Sequence, residues 1–366
     1  MAAKEYRFSR YADVVAALAE PALVPILPRA RVTATPPGTP GAAARAASDA
    51  LDPADTPGTA AWLRATVARF ASGPTHQRRR SLVEADLDRL DPAGLRLAAT
   101  RAAAAAAHTG GAPGDARLLA VRVLADAFGL PDPDAVAADV LLVAGVYFGG
   151  DDEVADAAVA RLMAVLLSAD EPLLPGIEGH EHDTWRTGRV DGRAARAVGE
   201  DEDEVAPDAD GHVAAARLEA AANRIGLLVQ ACDATGTLVD HARRPMRADA
   251  GRHEVEAVLA ETLRHDPPVR TMRRVALRPV QVGGVTLATG DSLTLDIAAA
   301  NRDPEVFTRP DTFDLERTMP ALTFGAEPRR CPGRRHAFAL AAGILDHVGN
   351  LDAVCGHGPA ELDEAA

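Results

Sequence analysis

Residues 323–335 read TFGAEPRRCPGRR and set one cysteine, Cys331, among four arginines, Arg329, Arg330, Arg334 and Arg335. A thiolate is a nucleophile and a soft metal ligand, whereas the thiol is a weak version of both, so the surroundings decide what the sulfur can do. Pro332 and Gly333 follow, then RRHAFALAAGILDHV, in which Phe338, Ala341, Leu345 and Val348 mark one apolar stripe. The pattern places Cys331 at the start of a helix, with proline where its missing N–H is harmless. A helix N-terminus and nearby guanidiniums both favour the anion. The expectation is a metal-ready or nucleophilic sulfur; the competing reading is a small core residue, the default for a lone cysteine. Without neighbouring ligands it suits neither zinc nor an iron–sulfur cluster, which want several.

The elements that must position this loop are mostly helical. YADVVAALAE (11–20) and ARLLAVRVLADAFGL (116–130) carry apolar residues at helical spacing, and 214–241 is long and apolar through its middle, which predicts a central buried helix. The alanine run 102–107 is helix-compatible. Strand patterns cluster at 273–277, at 280–288 with a Gly-Gly turn, and at 292–298. From 170 to 212 the chain turns irregular and acidic, including EDEDE at 200–204, and reads as a solvated connection. The fold class expected is mainly α with a small β region, as a single domain over 1–366.

Composition bounds the function. The chain has 366 residues, 47% of them hydrophobic, with a formal net charge of −14. It can bury a large core, and no run reaches the roughly 18 apolar residues that span a bilayer. The acidic balance argues against nucleic acid, whose phosphates call for a broad basic face. No secretory signal opens the chain, and the three scattered cysteines make no disulfide framework, so a reducing cytoplasm and no membrane are expected.

FGAEPRRCPG (324–333) closely resembles the haem-binding loop of the cytochromes P450, Phe-x-x-Gly-x-Arg-x-Cys-x-Gly, with Phe324, Arg329, Cys331 and Gly333 in register. Upstream, ETLR (261–264) followed by HDPPVR resembles the family's Glu-x-x-Arg, and AAANRDPEVFTRPDTFDLER (298–317) its segment before the cysteine loop. PTHQRRRSLV (74–83) is similar to the helix whose His and Arg hold the haem propionates, pointing to His76 and Arg80. YRFSRYADVVAALAEP resembles a stretch that in typical bacterial members follows an opening helix and strand, so the usual terminal elements are expected to be missing. The resemblance implies the P450 fold, haem b (iron protoporphyrin IX) as cofactor, and Cys331 as its axial thiolate. Arg329, His76, Arg80 and Arg274 would then meet the propionates. Arg330, Arg334 and Arg335, with Arg78 and Arg79, would leave a basic patch for an acidic ferredoxin, itself served by a ferredoxin reductase.

Four departures qualify this. The family's Ala-Gly-x-(Asp/Glu)-Thr-Thr, aligned on its acid, gives Ala231 as the small residue beside oxygen, Asp233 as the acid and Ala234 in place of the first Thr, with Thr235 next. Either a helix distortion brings Thr235 into position, or water and Asp233 carry the protons. Glu327 stands where a glycine lets the loop turn, so it would be strained at positive φ or paired with a neighbouring arginine. The third member of the Glu261–Arg264 network is replaced by Thr312, leaving Arg309 or Arg317 as substitutes. Finally, HEHD (180–183) has metal-like spacing but no supporting ligands and reads as a solvated loop.

The activity implied is a monooxygenase that oxidises a small apolar or amphipathic molecule. Ala234 leaves open oxidative coupling or peroxide-driven oxidation, and the short termini leave open a haem protein without turnover. Residues 50–75 and 165–195 are expected to line the pocket, with Trp62, Phe148 and Trp185 as candidate contacts.

Overall fold

The computed structural model describes residues 3–26, 56–108, 115–168, 209–248 and 254–355. Among them, helices dominate: α1 (Tyr11–Ala19), α2 (Ala60–Thr66), α3 (Gly73–Asp88), α4 (Pro92–His108), α5 (Ala116–Ala127), α6 (Pro133–Tyr147), α7 (Glu153–Ser168), α8 (Ala209–Ala248), α9 (Val255–His265), α10 (Ile297–Ala300) and α11 (Arg334–Cys355). Six strands complete the set: β1 (Glu5–Phe8), β2 (Leu23–Pro25), β3 (Thr271–Ala276), β4 (Val280–Val282), β5 (Val285–Leu287) and β6 (Ser292–Asp296). None of these helices is long and apolar enough to cross a membrane.

The helical core is built around α8, in which alanines, Ile225, Leu228, Cys232 and Val239 are buried along several successive turns. A helix apolar on most of its circumference must be covered on most sides; here α3, α5, α6, α7, α9 and α11 all pack on it. Close approach needs small residues at the crossings. A Cβ on Gly236 would lie 2.2 Å from Arg117 Cγ, and one on Gly343 2.2 Å from the Arg96 carbonyl, so α5 meets α8 and α4 meets α11 nearly backbone to backbone. Side chains cap two of the helix starts: the Asp115 carboxylate accepts from Arg117 N–H and Asp132 from Ala135 N–H, the latter just before Pro133.

The second core lies under a four-stranded sheet of order β1-β6-β3-β2, with β1 parallel to β6 and β3 antiparallel to both its neighbours. Its apolar face, with Phe8, Leu293 and Leu295, closes on Val14 and Leu18 of α1. The Gly-Gly turn is a two-residue hairpin between β4 and β5; both glycines have positive φ, +56° and +73°, as the favoured hairpin twist requires. β1 and β2 are too short to show alternation in the sequence and are ordered by pairing. The strand pattern at 292–298 ends early because the Asp296 carboxylate caps α10 by accepting from Ala299 N–H. The central helix runs well past its apolar middle at both ends, through Pro245. The motif HEHD and the acidic run lie outside the described residues.

Candidate active site

Between α8 and the loop ahead of α11 lies a cavity of about 390 Å³, lined mainly by apolar atoms. His76 and Arg80 reach it from α3, Arg274 from β3, and Ala231, Asp233 and Thr235 from α8; Phe324, Arg329, Cys331 and Gly333 form its floor. The residues singled out by sequence thus border one space.

The floor is held by a buried polar network. Arg264 makes two hydrogen bonds to the Glu261 carboxylate, at 2.9 and 2.6 Å, and donates to the carbonyls of Asn301, Pro310 and Thr312. Arg317, not Arg309, supplies the third member, donating to Glu261 Oε1 at 3.2 Å, where the Asp314 N–H also donates. Asn301 ties this network to the cysteine loop: its amide donates to Leu263 O and Thr323 Oγ1, and its Oδ1 accepts from Leu322 N–H. The loop then turns at Gly325 (φ +72°), so that Cys331 N–H donates to Phe324 O at 2.8 Å. Glu327 is not at positive φ, and its carboxylate lies 3.7 Å from Arg330 Nε, the second of the two outcomes expected for it.

Cys331 differs from its sequence reading in two ways. Regular helix begins three residues later, at Arg334. Burial also outweighs the Gly333 N–H and the guanidiniums of Arg69, Arg80 and Arg334, so the thiol is pushed up rather than down. Burial thus favours the thiol, and a bound metal ion rather than the arginines would make it a thiolate.

The cavity wall carries positive charge without its complement. Arg80 pairs with Glu84 at 2.7 Å and donates to Arg330 O, pinning α3 to the cysteine loop. Arg69, Arg274 and Arg329 have no carboxylate within ion-pair distance among the described residues; Arg274 donates only to Arg273 O and Arg329 only to Ala71 O. Burial lowers all three; repulsion from Arg69 and Arg329 further lowers Arg274, to about 10, and repulsion from Arg69 and Arg80 further lowers Arg329. Burial, then Arg329 and Arg80, lowers His76 to about 4, so it is neutral near pH 7. Buried charge is normally paired. A wall of unpaired guanidiniums beside an apolar slot and a single thiol fits a flat apolar ligand with two carboxylates and a metal that takes sulfur, which describes haem.

On the opposite side α8 is continuous α-helix, without the distortion considered above. Thr235 is 1% exposed, and its Oγ1 has no hydrogen-bond partner among the described residues. It lies four residues, about one turn, after Ala231, so the two share a face. Asp233 borders the cavity too, but its side chain is 54% exposed and 3.9 Å from Arg117.

Other expectations are redistributed. Arg78 and Arg79 do not join the exposed arginines of the cysteine loop but bind Glu219 of α8. Trp62 is buried in the helical core, Phe148 lines the cavity, and Trp185 lies outside the described residues. From 50–75 the cavity takes Ala68 and Arg69. Sequence reasoning missed Arg69; its one signal is a lone charge in the apolar run VARFA (67–71).

Known proteins agree with this arrangement. The family model Cytochrome P450 matches residues 237–341, from the end of the cavity-facing turn of α8 through the cysteine loop. The chain is 34% identical over 97 residues to the biotin biosynthesis cytochrome P450 of Bacillus subtilis (strain 168), covering 26% of this chain and 25% of that protein. It is 37% identical over 105 residues to linalool 8-monooxygenase of Pseudomonas putida, covering 28% and 26%. The matched stretch thus spans about a quarter of each relative. The crystal structure of P450BioI in complex with hexadec-9Z-enoic acid ligated acyl carrier protein superposes with a TM-score of 0.65 at 19% identity, covering 96% of this chain and 85% of that one. Residues 237–341, which hold the end of α8, the buried network and the cysteine loop, are thus similar in sequence to the cytochromes P450, and the fold of the described residues matches that of the solved ones.

Proposed function

We propose that the chain is a haem-thiolate monooxygenase that inserts oxygen into a small, mainly apolar molecule with electrons from a ferredoxin and its reductase. The observation that carries this is the cavity itself, with Cys331 on its floor, unpaired arginines on its wall and an apolar roof. Cys331 would hold the iron of haem b, and His76, Arg274 and Arg329 its propionates, with Arg80 joining from its ion pair. When bound, the haem supplies activation of dioxygen with two electrons from outside the protein.

The chain's own part is positioning, exclusion of water and proton handling. Ala231 keeps the roof shallow above the floor cysteine. Thr235 Oγ1, without a hydrogen-bond partner among the described residues, can accept a hydrogen bond and pass on a proton where oxygen would sit. Asp233, at the cavity edge and turned toward Arg117 and solvent, is the point of proton entry. Exposed Arg334 and Arg335, with Arg330, form the basic patch on the floor side against which an acidic electron donor would dock. The reaction is placed in the cytoplasm, where ferredoxins are reduced.

The test is the absorption spectrum of the purified, reduced protein under carbon monoxide. Thiolate ligation gives a Soret band far to the red, and Cys331→His abolishes it. A histidine-type band from folded wild-type protein overturns the assignment. Turnover with peroxide alone, or coupling without an inserted oxygen atom, would shift the reading to those chemistries. A thiolate spectrum with no consumption of NAD(P)H or peroxide would leave a haem protein without turnover.

A further inference from the structure

The wall of the cavity carries one positive charge more than the cofactor can neutralise. Haem brings two carboxylates. Arg274 and Arg329, each without a carboxylate among the described residues, match them one for one, and Arg80 already has Glu84. Arg69 is left over. No described residue accepts a hydrogen bond from its guanidinium, which lies 5.9 Å from the centroid of the Phe148 ring and within electrostatic reach of Tyr147 and Cys331.

Arg69 lies near enough to Arg274 and Arg329 to lower both, but it comes from a different element. His76 and Arg80 belong to α3, Arg274 to β3 and Arg329 to the cysteine loop, whereas Arg69 sits in the 3-10 turn Ala68–Phe70 against α8. That turn is fixed: Asn223 of α8 accepts from Ala68 N–H at 2.8 Å and donates to Thr66 O. Phe70 packs on Tyr147 and Phe148, which end α6, with centroids 5.4 and 6.2 Å apart. Phe148 is 63% exposed and also lines the cavity, so this corner is where the cavity meets solvent. Around it the lining is apolar: Ala68, Leu227, Val269 and Met272.

Resting on the haem-protein reading above, we propose that Arg69 recognises the substrate, and that the substrate is a monoanion, a carboxylate on an apolar body. The carboxylate pairs with Arg69 at the Phe148 corner and the apolar part lies under Ala231 and Thr235. A charge-assisted hydrogen bond in a water-poor cavity holds one end of a molecule that the apolar lining cannot orient. Arg69 is thus a specificity residue that touches substrate, distinct from the propionate anchors.

The test uses the full-length, haem-loaded chain. Medium- and long-chain fatty acids and arylalkanoic acids are titrated against their methyl esters, reading the blue shift of the Soret band and, in parallel, calorimetric affinity. Wild type should bind the best acid at least about tenfold more tightly than its ester. Arg69→Gln should bring that ratio close to one, Arg69→Lys should keep part of it, and the haem content of both variants should equal wild type. The proposal is overturned if no acid is preferred to its ester, if Arg69→Gln preserves the preference, or if Arg69→Gln loses haem, which would make Arg69 a propionate anchor. Absence of a thiolate spectrum in wild type would instead overturn the function proposed above.

Discussion

The buried arginines of this protein divide by whether a carboxylate meets them. Arg264 and Arg224 are each 1% exposed and each doubly bonded to an acid: Arg264 to Glu261, Arg224 to Asp86, where Nε lies 3.0 Å from Oδ2. The first pair sits under the cysteine loop, and the second joins α3 to α8 beside Phe128, 5.1 Å from its ring centroid. Arg69, Arg274 and Arg329 face the cavity with no such partner. Desolvating a charge is costly unless something compensates it. The paired arginines are compensated by the fold. The unpaired ones are compensated only by what the cavity binds, so mutations in the two groups should act on different measurements.

The largest effect belongs to the first group. Glu261→Gln leaves Arg264 without an anion in a dry site, and Arg317 with only Asp314 at 3.9 Å; it should cost about 3–5 kcal/mol, a large share of the roughly 5–15 kcal/mol that holds a protein folded. Urea unfolding should show loss of a cooperative transition or a midpoint far below wild type. Asp86→Asn breaks the pair that fastens α3 to α8 and should cost about 3 kcal/mol, with the haem affinity of the remaining folded protein largely kept. If either variant unfolds like wild type, the ion pair is not what compensates its arginine.

The opposite sign is expected in the second group. Arg274→Met removes a guanidinium that burial, Arg69 and Arg329 all push toward neutrality, and supplies an apolar chain of similar length. The haem-free protein should unfold no more easily than wild type, or slightly less so, while haem affinity falls by about tenfold. A drop in haem-free stability matching that of Asp86→Asn would erase the distinction.

The same division decides what could be read from sequence. Glu261 and Arg264 lie three apart on one helix and pair locally, so ETLR was legible as a unit. Cys331, Phe324 and Gly333 likewise share one loop. Asp86 and Arg224 are 138 residues apart, and nothing in either helix announces the other. Arg317 could be named only as one of two candidates, because its role depends on how 309–317 wraps back over α9. The charge state of Cys331 was misread because its neighbours in sequence are arginines, while its burial is made by packing from elsewhere. Asp233 borders the cavity with Ala231 and Thr235, but periodicity does not show that its carboxylate turns toward Arg117 and solvent. Arg69 carried no motif, and only the missing partner marks it.

The smallest effect, and the one confined to a single ring, is at His76. Burial and the guanidiniums of Arg329 and Arg80 hold it at about 4 in the folded, haem-free protein, against an ordinary value of about 6.5. The unfolded chain therefore takes up a proton between pH 6.5 and 4 that the folded chain refuses. Stability from this group is full above pH 6.5 and is lost as the pH falls toward 4, by at most about 2 kcal/mol, since His76 is partly solvated. His76→Gln should flatten the pH dependence of urea unfolding across that window, leaving the slope below pH 4 to the carboxylates. Haem should flatten it too, because a propionate beside the ring offsets the two arginines and lets the imidazole keep its proton. If haem leaves the His76 slope unchanged, the cationic wall is not where the cofactor's carboxylates go.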